Sequence, residues 1–228
     1  MAGRTTTGTR LRALLDLLAP GLARASGRMF CGDRVREAYL SWLEVSYSMT
    51  RATVPLLRAA LQESERRTDP VAPALASYYT AQIKDESGHS SWVMSDYAAA
   101  GGTPRNLRER LAAPAVARLV GAQYYWLRHE HPIALLGHMA VLEWYPPAGE
   151  LARSLAGRTG LPGTAFRTIT GHALLDAHHG DRLARLLDTG PISRRQESLL
   201  TRSALTSVHG LGDVVRELVP RAERSDRP

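Results

Sequence analysis

Gly171-His172-Ala173-Leu174-Leu175-Asp176-Ala177-His178-His179 is the stretch on which the fold reading turns. Its periodicity is helical rather than alternating. At 3.6 residues per turn, His172, Asp176 and His179 fall at i, i+4 and i+7 and project from one face. His178 points about 100° away from its neighbour and serves as a built-in control. Two imidazoles and a carboxylate stacked in this way are the donors a divalent first-row metal takes. A solvent-facing polar stripe is the alternative for this triplet alone.

Outward from this stretch, Pro and Gly punctuate a chain of long helical segments. Residues 1–28 read as a flexible N-terminal arm with one short helix around Arg10 to Leu18. A long helix is expected from an N-cap at Asp33 toward Ala60, kinked at Pro55. After the polar loop Gln62 to Asp69, a second helix runs to Ala100 and stops at Gly101 and Gly102. A third, Arg-rich segment extends from Pro104 to Arg128. A fourth follows His131-Pro132 and is interrupted by Pro146 and Pro147. The fifth covers Ala165 to Leu187, and the sixth covers Ser193 to Val219 with Gly210 and Gly212 weakening its middle. Strand patterns are nearly absent. The expectation is an all-α, single-domain bundle over 29–219 with a polar tail at 220–228, its sites built from side chains on facing helices.

The second helix carries Glu86-Ser87-Gly88-His89, a Glu-x-x-His pair at the spacing that di-iron carboxylate bundles use. The fourth segment carries Glu143 amid Ala140-Val141-Leu142, where a lone carboxylate is costly unless it is ion-paired or ligates a cation. On the first helix Glu44, in Trp42-Leu43-Glu44-Val45, is preferred over Glu37 one heptad earlier because its neighbours are more apolar. Asp96, seven residues after His89, is placed to orient a ligand imidazole, and Trp92 to line the pocket. Tyr78, Tyr79, Tyr124, Trp126 and Arg128 are further pocket candidates.

The chain has 228 residues, 29 Lys+Arg against 22 Asp+Glu, and a net charge of +7, which fits one globular domain. Its basic residues are almost all arginine, with Lys84 the sole lysine, and are strewn along the chain, which argues against nucleic acid as partner. The longest apolar candidate, Pro132 to Leu142, is too short to span a membrane and contains His138. Asp16 interrupts the apolar run near the N-terminus, so no signal peptide is expected. Cys31 is the only cysteine, which excludes an intrachain disulfide and a thiolate metal cage and makes a cytoplasmic location the expectation.

Taken in order, Asp85-Glu86-Ser87-Gly88-His89, Asp96-Tyr97, Gly101-Gly102, His131-Pro132-Ile133-Ala134-Leu135-Leu136-Gly137 with Glu143, Thr159-Gly160-Leu161-Pro162 and His172-x3-Asp176-x2-His179 resemble the heme-oxygenase-like diiron oxidases. The likeness covers about residues 34–215. It implies a seven-helix heme-oxygenase-like bundle holding two Fe(II) ions that activate O2. Glu86, His89, Glu143, His172, Asp176 and His179 would be the ligands, and Glu44 the first-helix member. It further implies oxidation of a small natural-product precursor, either N-oxygenation of an amine or guanidine or oxidative cleavage or desaturation of an amino or fatty acid. An external electron donor such as a reductase, and a homodimer, are compatible with it. Heme ligation from an early helix is disfavoured because no histidine precedes His89, and thiaminase-like chemistry because Cys31 lies before the first long helix. A non-enzymatic helical binding protein is the reading from a different class.

Overall fold

The protein, seen here as a computed structural model, is described for residues 5–145 and 149–223, without the side chains of 174–177 and 219–223. In chain order its helices are α1 (Thr7–Arg28), α2 (Val35–Glu65), α3 (Ala72–Glu86), α4 (His89–Ala99), α5 (Pro104–Glu109), α6 (Pro114–His129), α7 (Ala134–Glu143), α8 (Gly149–Thr159), a 3-10 turn (Gly163–Phe166), α9 (Arg167–Thr189) and α10 (Arg194–Glu223). No strand occurs among the described residues.

A helix that is apolar on every side has to be wrapped by others, and α7 is such a helix: Ala134 to Val141 are all buried. It packs against α6, α9 and α10. At its crossing with α10, a Cβ on Gly137 would stand 2.2 Å from the Leu200 carbonyl oxygen and 2.8 Å from the Ala204 amide nitrogen. Only glycine allows so close an approach of two backbones. The N-terminus of α7 is fixed by His131, whose Nδ1 accepts from the Ile133 N–H at 3.1 Å while Nε2 faces Asp69 at 3.2 Å.

Three sequence expectations are corrected. The arm with one short helix is instead the 22-residue α1, continuous through Pro20, whose Leu11 and Leu15 are buried against α9 and α10. Burial of each leucine contributes about 1.5–3 kcal/mol, which holds this segment on the bundle. The N-cap of α2 is Arg34 rather than Asp33, and the helix continues through Pro55. The helix expected up to Ala100 breaks at Ser87-Gly88, where Gly88 adopts φ of 104°, a left-handed conformation suited to glycine. Meanwhile α10 runs unbroken through Gly210 and Gly212.

Among the described residues, buried apolar side chains form two clusters. One gathers Leu56, Leu57, Leu75, Tyr79, Leu135 and Leu183. The other gathers Tyr39, Leu43, Val93, Tyr97, Phe166 and Ile169. Along α3 and α4, Gln82, Glu86 and His89 lie between Tyr79 of the first cluster and Val93 of the second. Along α9, His172 and His179 lie between Ile169 and Leu183. The polar residues of the candidate site thus form the seam between two hydrophobic cores.

Candidate metal centre

The buried stripe of α3 is Leu75, Tyr78, Tyr79, Gln82 and Glu86, so helical periodicity carries two polar side chains into the core face. Glu86 ends α3 and His89 begins α4, on either side of the Gly88 turn. The pair therefore does not share one helix, yet Glu86 Oε2 and His89 Nδ1 stand 2.9 Å apart. The contact is not a hydrogen bond: among the described residues neither ring nitrogen of buried His89 has a hydrogen-bonding partner. Two ligands set at right angles about a cation with bonds of about 2.1 Å stand about 3 Å apart, which is the spacing seen. His172 completes the set, with one donor atom from each of Glu86, His89 and His172 lying within 4.8 Å of the others.

The orientation of His172 follows from its backbone. Nδ1 donates to the Thr168 carbonyl at 2.7 Å, so Nε2 keeps the lone pair. Burial pushes the pKa of His172 down, against the Thr168 bond, which keeps the ring neutral as a metal donor must be. Burial likewise lowers His179, opposed by Glu86 and Asp85. His179 lies with Nδ1 3.9 Å from Glu86 Oε1 and Nε2 3.5 Å from Asp85 Oδ2. His178 is exposed, as its place on the wheel requires.

Glu143 is 4% exposed, at the end of α7. Its carboxylate accepts from the Tyr78 hydroxyl at 3.3 Å and from Gln82 Nε2. Glu44 accepts from the Tyr97 hydroxyl at 3.2 Å and pairs with Arg110 at 2.7 Å, whereas Glu37 is exposed near Arg34. The side chain of Asp176 lies outside the described residues. Asp96, expected to orient an imidazole, is fully buried and accepts from the Arg167 and Thr168 amides at 3.2 and 2.7 Å, thereby capping α9. It acts on His172 one peptide removed, through Thr168. Burial raises the Asp96 pKa, and the amide bonds offset this only in part. Trp92 lies tilted against His89 at 4.2 Å between ring centroids, and the Arg167 guanidinium lies over the Trp92 ring, 5.0 Å from its centroid.

Among the remaining candidates, Tyr79 donates to the Pro132 carbonyl in the core, and Arg128 is exposed. Periodicity does not single out Gln82, Asp85 or Arg182 as functional. The available signal was Gln82 at a core position of the α3 stripe. An open groove of 680 Å³ between α1 and α9 is bordered by Arg12, Asp16, Glu143, Asp181 and Asp188. Cys31 is exposed in the turn after α1. No helix among the described residues is long and apolar enough to cross a membrane.

An all-helical bundle with a Glu-His-His donor set at its seam, Glu86 and His89 buried and His172 half-buried, defines a helical protein with a candidate metal centre. Residues 40–205 match the family described as iron-containing redox enzymes, and the chain belongs to that family. Its fold is heme-oxygenase-like. It is similar to a domain of unknown function with a heme oxygenase-like fold from Shewanella denitrificans, with a TM-score of 0.83 at 15% identity, covering 96% of this chain and 94% of that one. It is also similar to a TenA homolog from Pseudomonas syringae pv. tomato, with a TM-score of 0.73 at 13% identity, covering 96% of each chain. No curated protein sequence matches it.

Proposed function

We propose that the chain is a non-heme diiron oxygenase that uses O2 to oxidise a small natural-product precursor, by N-oxygenation of an amine or guanidine nitrogen toward hydroxylamine or nitro. The observation that carries this reading is His89, a buried imidazole with neither nitrogen hydrogen-bonded among the described residues, facing Glu86 and His172 in a chain of an iron-containing redox family. Glu86, His89 and His172 would hold one iron. Glu143, His179, Asp176 and Glu44 would hold the second. When bound, the irons supply the electrons that activate O2.

The chain's own residues prepare the site. Thr168 fixes the His172 tautomer, Asp96 fixes Thr168, and Trp92 covers His89. The acids bordering the α1/α9 groove, Asp16, Asp181 and Asp188, suit a cationic nitrogen compound better than a long alkyl chain. In N-hydroxylation one oxygen atom enters the N–H bond and the other leaves as water, which consumes two electrons and two protons from an external donor. A reductase in the cytoplasm would meet that demand.

The test is anaerobic Fe(II) loading, iron quantitation, and exposure to O2 with amines, guanidines, amino acids and fatty acids. About two irons per chain and a product that gains oxygen on nitrogen are expected. A product that loses carbon or hydrogen would replace N-oxygenation by oxidative cleavage or desaturation. A chain that takes up no iron would be a helical binding protein instead.

A further inference from the structure

On α9, three residues beyond His179, Arg182 directs a single guanidinium nitrogen at two acceptors on α3. Its Nη1 donates to Asp85 Oδ2 at 2.8 Å and to Gln82 Oε1 at 3.1 Å. Each acceptor in turn faces a residue of the centre. Gln82 Nε2 donates to Glu143 Oε1, and Asp85 Oδ2 lies 3.5 Å from Nε2 of His179. The direction of the first branch is dictated by chemistry. A guanidinium only donates and a carboxylate only accepts, so a glutamine between them can bond both in one orientation alone. The second branch sets an anchored carboxylate against His179 Nε2, which favours the proton there and leaves Nδ1, the nitrogen nearer Glu86, with its lone pair.

We infer that Arg182 is a positioning residue for the metal centre, fixing the Glu143 carboxylate through Gln82 and the tautomer of His179 through Asp85. The inference rests on the diiron reading. Charge pairing alone does not account for the arrangement, because a salt bridge to Asp85 needs no glutamine, whereas Gln82 is fully buried and joins the guanidinium to a second carboxylate.

The test uses the full chain and Co(II) alone as probe, read by anaerobic titration and by the absorption bands that report ligand geometry. Arg182→Met is expected to weaken Co(II) binding about 10–100-fold and to change the bands, as loss of a group behind a metal ligand does. Arg182→Lys, which keeps a donor-only cation, should recover part of the loss, and Arg185→Met on the exposed face should change nothing. Arg182→Met protein with a lowered metal-free melting temperature but unaltered affinity and bands overturns the inference, leaving only a staple between α3 and α9. Should Arg182→Met fail to fold, Asp85→Asn and Gln82→Leu each interrupt one branch, and unaltered Co(II) binding in both overturns it equally. Wild-type protein that binds neither Co(II) nor Fe(II) overturns the diiron reading and this inference together. Wild-type binding with indifferent variants overturns the inference alone.

Discussion

His89 is the residue whose surroundings make least sense without a cation. Each buried polar group left unbonded costs on the order of 1–3 kcal/mol, and both of its ring nitrogens are in that condition among the described residues. His89→Ala and His172→Ala are each expected to weaken Fe(II) binding by more than about 100-fold, whereas exposed His178→Ala should leave a titration unchanged. Equal losses from all three would remove the centre from the bundle core. His138 presents a different case, a buried histidine with a structural role. Its Nδ1 meets the Ser207 hydroxyl at 2.9 Å, and burial pushes its pKa down to about 4 from the ordinary 6.5. A base whose folded pKa is depressed takes up its proton more readily when unfolded, so its contribution is complete above pH 6.5 and is lost as pH falls toward 4. The full effect is about 3 kcal/mol. Urea unfolding from pH 7 to 4 should therefore show a stability loss that is smaller by that amount in His138→Gln; parallel profiles would refute the assignment.

At the scale of elements, α9 carries two of the candidate ligands, His172 and His179, and Asp96 of α4 caps the helix at its start. Two amides at its N-terminus are satisfied by one buried carboxylate, so Asp96→Ala should cost about 1–2 kcal/mol as a lost cap. Because Thr168 also orients His172, the same substitution should weaken Fe(II) binding, whereas a cap without that link would lower the melting temperature and spare the affinity. This helix is legible in the sequence, since half-buried His172 and buried His179 continue the spacing of buried Ile169, Leu183 and Leu187 on one face. The break between α3 and α4 is not, because a single left-handed residue at Gly88 leaves the apolar spacing on either side almost intact. The full length of helix α1 is not legible in the sequence, because residues 1–28 are rich in Thr, Gly and Arg, and a proline within them would ordinarily end a helix. Here Pro20 lies on the exposed side, where water can satisfy the carbonyl it leaves unbonded. The roles of Arg110 and Arg182 are hidden in the sequence for another reason. Their partners Glu44, Asp85 and Gln82 lie tens of residues away, and periodicity within one segment says nothing about pairing across two.

At the scale of the molecule, the two hydrophobic clusters of the described residues meet at a layer of acids and imidazoles, and that layer is the least self-sufficient part of the fold. Glu86, His89 and His172 already converge, while Glu143 is engaged by Tyr78 and Gln82, and Glu44 by Tyr97 and Arg110. A cation at the converged set meets donors that need little rearrangement. One that draws on Glu44 has to compete with the Arg110 guanidinium, so the two uptakes should differ in affinity. Fe(II) titration is accordingly expected to be biphasic, and Arg110→Gln should strengthen the weaker phase and leave the tighter one alone. On the diiron reading metal binds the folded chain and has no preformed site in the unfolded one, so iron at about 100 times its dissociation constant should add about 2.7 kcal/mol of stability. For a chain of this size that corresponds to a rise of roughly 5–11 °C in melting temperature. Scans with EDTA and with anaerobic Fe(II) measure it directly. Coincident melting curves would show that the seam is complete without metal, and a single-phase titration indifferent to Arg110 would show that Glu44 takes no part in it.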